Sequence, residues 1–161
     1  MALNIKTILY ATDLSENARY AFGYANDLAR KYDAQLTILY VVENINETVE
    51  VQISEMIGYE KWSKIKQEKQ KDLIKQIRSK VEDFCHEMDA EHDSCRLVIE
   101  DVKIKKGNPC EEILKVSKEI DADLIVIGSH GYSLLKDVFM GSTARKVVQQ
   151  SEKPVLTIKL P

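Results

Sequence analysis

The stretch DLIVIGSHGYSLLKDVFMGST, Asp123 to Thr143, joins an apolar segment to three glycines. Leu124 to Ile127 are apolar on both faces, which predicts a strand in the middle of a parallel sheet covered by helices on both sides. Gly128 and Gly131 stand three apart, Gly141 follows after nine intervening residues, and Ser142 and Thr143 come directly behind it. Such glycines let backbone N–H groups approach a ligand without interference from a Cβ atom. Gly141, Ser142 and Thr143 open a helix whose free N–H groups and dipole favour an anion. The spacing therefore suits a phosphate chain held by two backbone segments, and it equally suits a loop of three structural glycines. Neither GxxxxGK[ST] nor GxGxxG occurs in the chain, so the common phosphate-binding motifs are excluded.

Working outward, Ile5–Ala11 reads as a first strand broken by TDLS, and Ser15 is placed to cap a helix. Ala18, Ala21, Phe22, Ala25, Leu28, Ala29 and Tyr32 fall on one face of that helix. Gln35–Val42 is a second strand. NINETVEVQISEMIGYE is polar and weakly patterned, which predicts a long loop or a partly ordered lid. From Glu60 to Asp89 a helix buries Leu73, Ile77, Val81, Phe84 and Met88. Its many lysines, interleaved with Glu and Asp, make a solvated face. LVIEDVKIKKG is a third strand, and Asn108, Pro109 and Glu111 supply the cap, first position and capping-box residue of a helix. A short helix carrying Ala144, Val147 and Val148 precedes the closing strand PVLTIKL. Strands alternating with helices predict one α/β domain, a doubly wound five-stranded parallel sheet with helices on both faces. A sheet with strands one and four side by side, in the order 3-2-1-4-5, sets Asp13 and Gly128 beside one cleft at the carboxyl ends of the strands.

The 161 residues are 44% hydrophobic and 30% charged, enough for an ordinary core in a single domain spanning 1–161. A net charge of -3 offers no general attraction to nucleic acid or to acidic membrane surfaces. No apolar run is long enough for a membrane span, and the N-terminus lacks the pattern of a signal peptide. Three cysteines without CxxC spacing point to a reducing, cytoplasmic setting.

The GxxG, nine residues, G[ST] pattern resembles the ATP-binding motif of the universal stress protein family. ILYATDLSENARYAFGYA resembles that family's opening strand and helix, LTILYVVE its second strand, GNPCEEILKVSKEIDADLIVIGSHG its fourth-strand region and SEKPVLTIK its closing strand. Asn44 to Val98 carries no recognisable signature. The resemblance implies ATP binding and a role as a nucleotide-dependent switch or adaptor in stress response. It implies that Ala11, Thr12 and Asp13 line the adenosine end, with the Asp13 carboxylate accepting from ribose or adenine donors. Val41 would read the adenine edge through its backbone. Gly128, Ser129, His130 and Gly131 would run along ribose and phosphates, with Tyr132 nearby. Gly141, Ser142 and Thr143 would hold the β- and γ-phosphates, and Mg or Mn would be bound through the phosphates. It also implies a homodimer through Val155 to Leu160, a strand with a single neighbour and little edge protection. A downstream protein partner would read the nucleotide state.

Other residues invite functional readings. His130 lacks a nearby carboxylate to orient it as a base, which favours packing beside the nucleotide. Cys85, His86, His92 and Cys95 have metal-ligand chemistry but fit no common zinc spacing, so no metal site is expected. Cys110, second in its helix, could have its pKa lowered by the helix N-terminus, although a packed thiol is the plainer reading. Lys136 could reach a phosphate, although an exposed lysine on a loop is the default. The alternative function is a slow ATPase or nucleotidyl transferase. Against it, the motif supplies binding groups but no evident base and no arginine to stabilise transferring charge. A flavin protein would need aromatic residues at the strand ends, where only Tyr132 is expected.

Overall fold

The computed structural model describes residues 2–43, 47–88, 102–130 and 140–161, with the backbone alone at 81, 82 and 84–88. In chain order these form β1 (Thr7–Thr12), α1 (Glu16–Tyr32), β2 (Gln35–Val42), α2 (Glu47–Ile57) and α3 (Tyr59–Met88). There follow β3 (Val102–Lys106), α4 (Pro109–Glu119), β4 (Leu124–Gly128), α5 (Ser142–Gln150) and β5 (Val155–Ile158). The five strands make one sheet in the order β3-β2-β1-β4-β5, with every neighbouring pair parallel. The expected architecture and strand order are those observed.

Alternation along the strands builds two cores. Ile8 and Tyr10 of β1, Leu36 and Ile38 of β2 and Val126 of β4 pack with Ala21, Phe22, Ala25 and Ala29 of α1 and Ile77 of α3. Leu9 and Ala11, Leu39, Ile125 and Ile127 point the other way, against Cys110, Ile113 and Val116 of α4 and Ala144 and Val147 of α5. Period two in the strands and near four in the helices is what directs each set to its face. Tyr10 lies fully within the first core. Its hydroxyl donates to the Ala18 carbonyl, and burial raises its pKa above the ordinary tyrosine range.

The helix signals are satisfied locally. Ser15 Oγ accepts from Ala18 N at 3.2 Å, and Asp33 closes α1 in the left-handed conformation. Asn108 Oδ1 accepts from Glu111 N at 3.2 Å, with Pro109 in the first turn.

Several sequence expectations need correction. The segment expected to be a loop or lid contains the regular helix α2, which has no buried residue. Its pattern is weak because no face of it enters the core. It is held instead by Glu50, whose carboxylate meets Lys106 Nζ at 2.7 Å and Lys66 Nζ at 2.8 Å. Hydrogen bonds from Lys106 and then Lys66 lower the Glu50 pKa. β1 begins at Thr7 and runs to Thr12, two residues later than expected at its start. Tyr32 and Val148 are exposed, so they do not extend the apolar faces of α1 and α5. In α3, Ile77 is buried and Leu73 packs against the same core. The side chains of Val81, Phe84 and Met88 lie outside the described residues, as does the start of the expected third strand.

Candidate functional site

β1 and β4 are neighbours, with Ala11 opposite both Leu39 and Ile127, and the direction of winding reverses between them. A crevice at the carboxyl ends of these strands follows from that topology. Beyond β1 the chain turns sharply. Thr12 Oγ1 accepts from Leu14 N at 3.0 Å, and Asp13 Oδ1 accepts from Ser15 N at 2.9 Å. These two bonds hold Leu14 at φ 64, a left-handed conformation uncommon for a bulky residue. Asp13 thus has one carboxylate oxygen committed to the turn, and the residue lines the crevice.

The end of β4 is organised by bonds that run away from the crevice. A Cβ at Gly128 would lie 2.2 Å from Asn17 Nδ2, so glycine is required there by helix α1. Packing against α1 thus gives Gly128 a structural reason of its own, beside its place in the cleft lining. Asn17 is itself 3% exposed and bridges two backbone groups at the end of β5: its Nδ2 donates to the Ile158 carbonyl at 3.1 Å, and its Oδ1 accepts from Leu160 N at 3.1 Å. The same Ile158 carbonyl accepts from Ser129 N at 2.8 Å, and the Ser129 carbonyl accepts from Gly141 N at 2.6 Å. Residues 130 and 140 are thus brought together at the base of the intervening segment. His130 Nδ1 lies 2.9 Å from Ser129 Oγ.

Gly141 caps α5 in extended backbone geometry with no side-chain capping bond, and no acidic residue occupies the first turn. The first helical bond runs from Arg145 N to the Gly141 carbonyl at 3.0 Å. The N–H groups of Ser142, Thr143 and Ala144 precede it and have no intrahelical acceptor. With the helix dipole they present a partial positive charge to the crevice.

These elements enclose a cleft of about 750 Å³. That volume lies in the range of small-molecule sites. Ala11, Thr12 and Asp13 line it from β1, and Val41 from β2. Gly128, Ser129 and His130 line it from β4, and Gly141, Ser142 and Thr143 from α5. Gly131, Tyr132 and Lys136 lie outside the described residues, as do the side chains of Cys85, His86, His92 and Cys95. Among the described residues, no three His, Cys, Asp or Glu side chains are grouped to hold a metal ion.

Sequence reasoning passed over Tyr40, Glu43, Met140 and Arg145, which also line the cleft. Arg145 corrects the expectation of a site without arginine. It stands four residues after Gly141, one helical turn past the cap, and that periodicity was the available signal. Cys110 is a packed core thiol, 5% exposed. Burial raises its pKa despite nearby Lys146, which bears out the packed-thiol reading over a lowering by the helix N-terminus.

The fold and cleft define a doubly wound α/β domain with a ligand-sized crevice at its switch point. The pattern of the universal stress protein family matches residues 4–159. The chain belongs to that family. It is 28% identical over 159 residues to universal stress protein MJ0577 of Methanocaldococcus jannaschii, covering 99% of this chain and 98% of that one. It is 31% identical over 152 residues to YxiE of Bacillus subtilis, covering 94% and 97%. The solved structure of MJ0577 matches with a TM-score of 0.70 at 26% identity over 99% of both chains. UspA from Lactobacillus plantarum matches with a TM-score of 0.67 at 25% identity over 98% of this chain and 99% of that one. A universal stress protein solved in complex with cAMP shares the fold, with a TM-score of 0.62 at 19% identity over 98% of each chain.

Proposed function

We propose that this protein binds ATP in the cleft and serves as a nucleotide-dependent switch or adaptor in stress response, with residues 1–161 acting as one nucleotide-binding unit. The observation that carries this reading is the convergence of three strand ends on a helix N-terminus with unpaired N–H groups and two adjacent hydroxyls. In this reading Asp13 takes a donor from the nucleoside, Val41 presents backbone to the base, and Gly128 to His130 flank the ribose. Ser142 and Thr143 donate to terminal phosphate oxygens. A divalent cation such as Mg or Mn would be held through the phosphates. Gly131 and Tyr132 complete the proposed site.

Titration calorimetry of the purified protein with ATP tests the reading. Gly141→Val is expected to keep the fold, because φ -62 and ψ 156 are open to any residue, and to lose most of the affinity. Unchanged affinity in Gly141→Val would end the proposal. A cytoplasmic location agrees with the demand for ATP, and among the described residues no helix is long and apolar enough to cross a membrane.

The reading includes a homodimer through Val155–Leu160. The two sheet edges differ in protection. β3 carries Lys103, Lys105 and Lys106, whereas the segment Pro154 to Leu160 carries only Pro154 and Lys159 as blunting residues. Pairing of β5 with its copy would close that edge by two-fold symmetry.

A further inference from the structure

The first turn of α5 is followed by a cation that enters the same cleft. Gly141 is the cap, so Arg145 occupies the fourth helical position, and its residue lines the cleft with Ser142 and Thr143. Helical side chains tilt toward the N-terminus of their helix, which puts the first turn of α5, with its N–H groups that lack intrahelical acceptors, within reach of Arg145. The neighbouring Lys146 is not among the residues that line the cleft, and its charge acts on Cys110. Among the described lining residues, Asp13 and Glu43 are acidic and stand at the ends of β1 and β2. Arg145 is the one with a permanent positive charge. The cleft is therefore polarised, negative by the strands that would face a nucleoside and positive by the helix.

We propose that Arg145 reads the length of the phosphate chain, binding the terminal phosphates and making this site select nucleoside triphosphate over monophosphate or cyclic monophosphate. The proposal rests on the ATP-binding reading of the cleft. A guanidinium offers paired, planar donors and a charge that does not titrate, so it rewards each added phosphate that comes within reach. In this reading a monophosphate on a nucleoside held at Asp13 and Val41 has fewer oxygens to offer Arg145 than a triphosphate does.

Calorimetric titration of the whole protein with ATP, ADP, AMP and cAMP at fixed ionic strength tests this, using wild type, Arg145→Gln and Arg145→Lys. Wild type is expected to bind ATP more tightly than AMP or cAMP. In Arg145→Gln the loss for ATP should exceed the loss for AMP by about ten-fold, the scale of one charged hydrogen bond. Arg145→Lys should recover part of the difference, and the salt dependence of ATP binding should weaken in Arg145→Gln. Equal losses for ATP and AMP would mark Arg145 as merely structural and overturn the proposal, as would an unchanged ATP affinity. Wild-type protein that binds no adenine nucleotide would overturn the ATP reading itself, and this inference with it.

Discussion

A methyl group at position 128 would sit 2.2 Å from Asn17 Nδ2 and 3.4 Å from the Ala18 nitrogen. Gly128→Ala should therefore destabilise the fold by about 1–3 kcal/mol, the usual cost of overpacking. Asn17→Ala removes the clashing amide but leaves the Leu160 N–H without its acceptor, at a similar cost of about 1–3 kcal/mol. The two costs should not add. In the double variant Gly128→Ala should cost less than it does alone, and urea denaturation of the four proteins measures the coupling. Additive losses would show that the close approach does not govern the choice of glycine. At the cleft, the combined change Ser142→Ala and Thr143→Ala should weaken ATP binding by about 1–3 kcal/mol without altering the denaturation midpoint. Ala11 to Asp13, Val41, Gly128 to His130 and Gly141 to Thr143, named from the sequence, do line the cleft, because a motif fixes both identity and order. The packing role of Gly128 was not legible there, since Asn17 lies far away in the chain and meets it only once α1 has packed on β4. Arg145 was missed for a different reason: it lies beyond the motif and becomes visible only when position along a helix is counted from the cap.

Among the elements, β1 and β4 are joined at their starting ends by Asp123, whose Oδ2 accepts from Lys6 N at 2.7 Å and Thr7 N at 3.0 Å. These backbone bonds hold its carboxyl pKa below the ordinary 3.8. A carboxylate depressed in the folded state adds stability that is present above its unfolded pKa. That stability is lost as pH falls through the folded one. Stability should accordingly fall as pH drops below about 4, and Asp123→Asn should flatten that part of the profile. The measurement is the denaturation midpoint across that range, and an equally steep profile in the variant would refute the assignment. The cap of α4 gives a second test: Asn108→Ala should cost about 1 kcal/mol. Strands and capped helices were legible in the sequence because their periodicity records burial directly. α2 was not, since Val49, Val51, Met56 and Ile57 are all exposed and a helix with no buried face leaves no apolar stripe. Its anchor, Glu50, pairs with lysines on two other elements, a relation that local pattern does not encode.

At the scale of the whole molecule, the two sheet edges make opposite predictions for assembly. Light scattering at micromolar concentration should give about twice the 18.4 kDa of the chain if β5 pairs with its copy. A mass near 18.4 kDa would exclude that dimer. The sequence motif supplies groups that bind phosphate and no evident general base. Phosphate release from ATP and magnesium should thus fall well below the roughly 1–100 s⁻¹ of kinases. Turnover in that range, sensitive to Asp13→Ala, would favour a phosphoryl-transfer enzyme instead. The bonds that link Gly141 to Ser129 and Ser129 to Ile158 have one more consequence. Both N–H groups belong to the wall of the cleft, yet each is spent on a protein carbonyl. In heavy water their protons are replaced only when that wall opens. The amides of Ser129 and Gly141 therefore act as paired clocks, and the slowing of deuterium uptake at both on adding a nucleotide would time how often an occupied cleft comes apart.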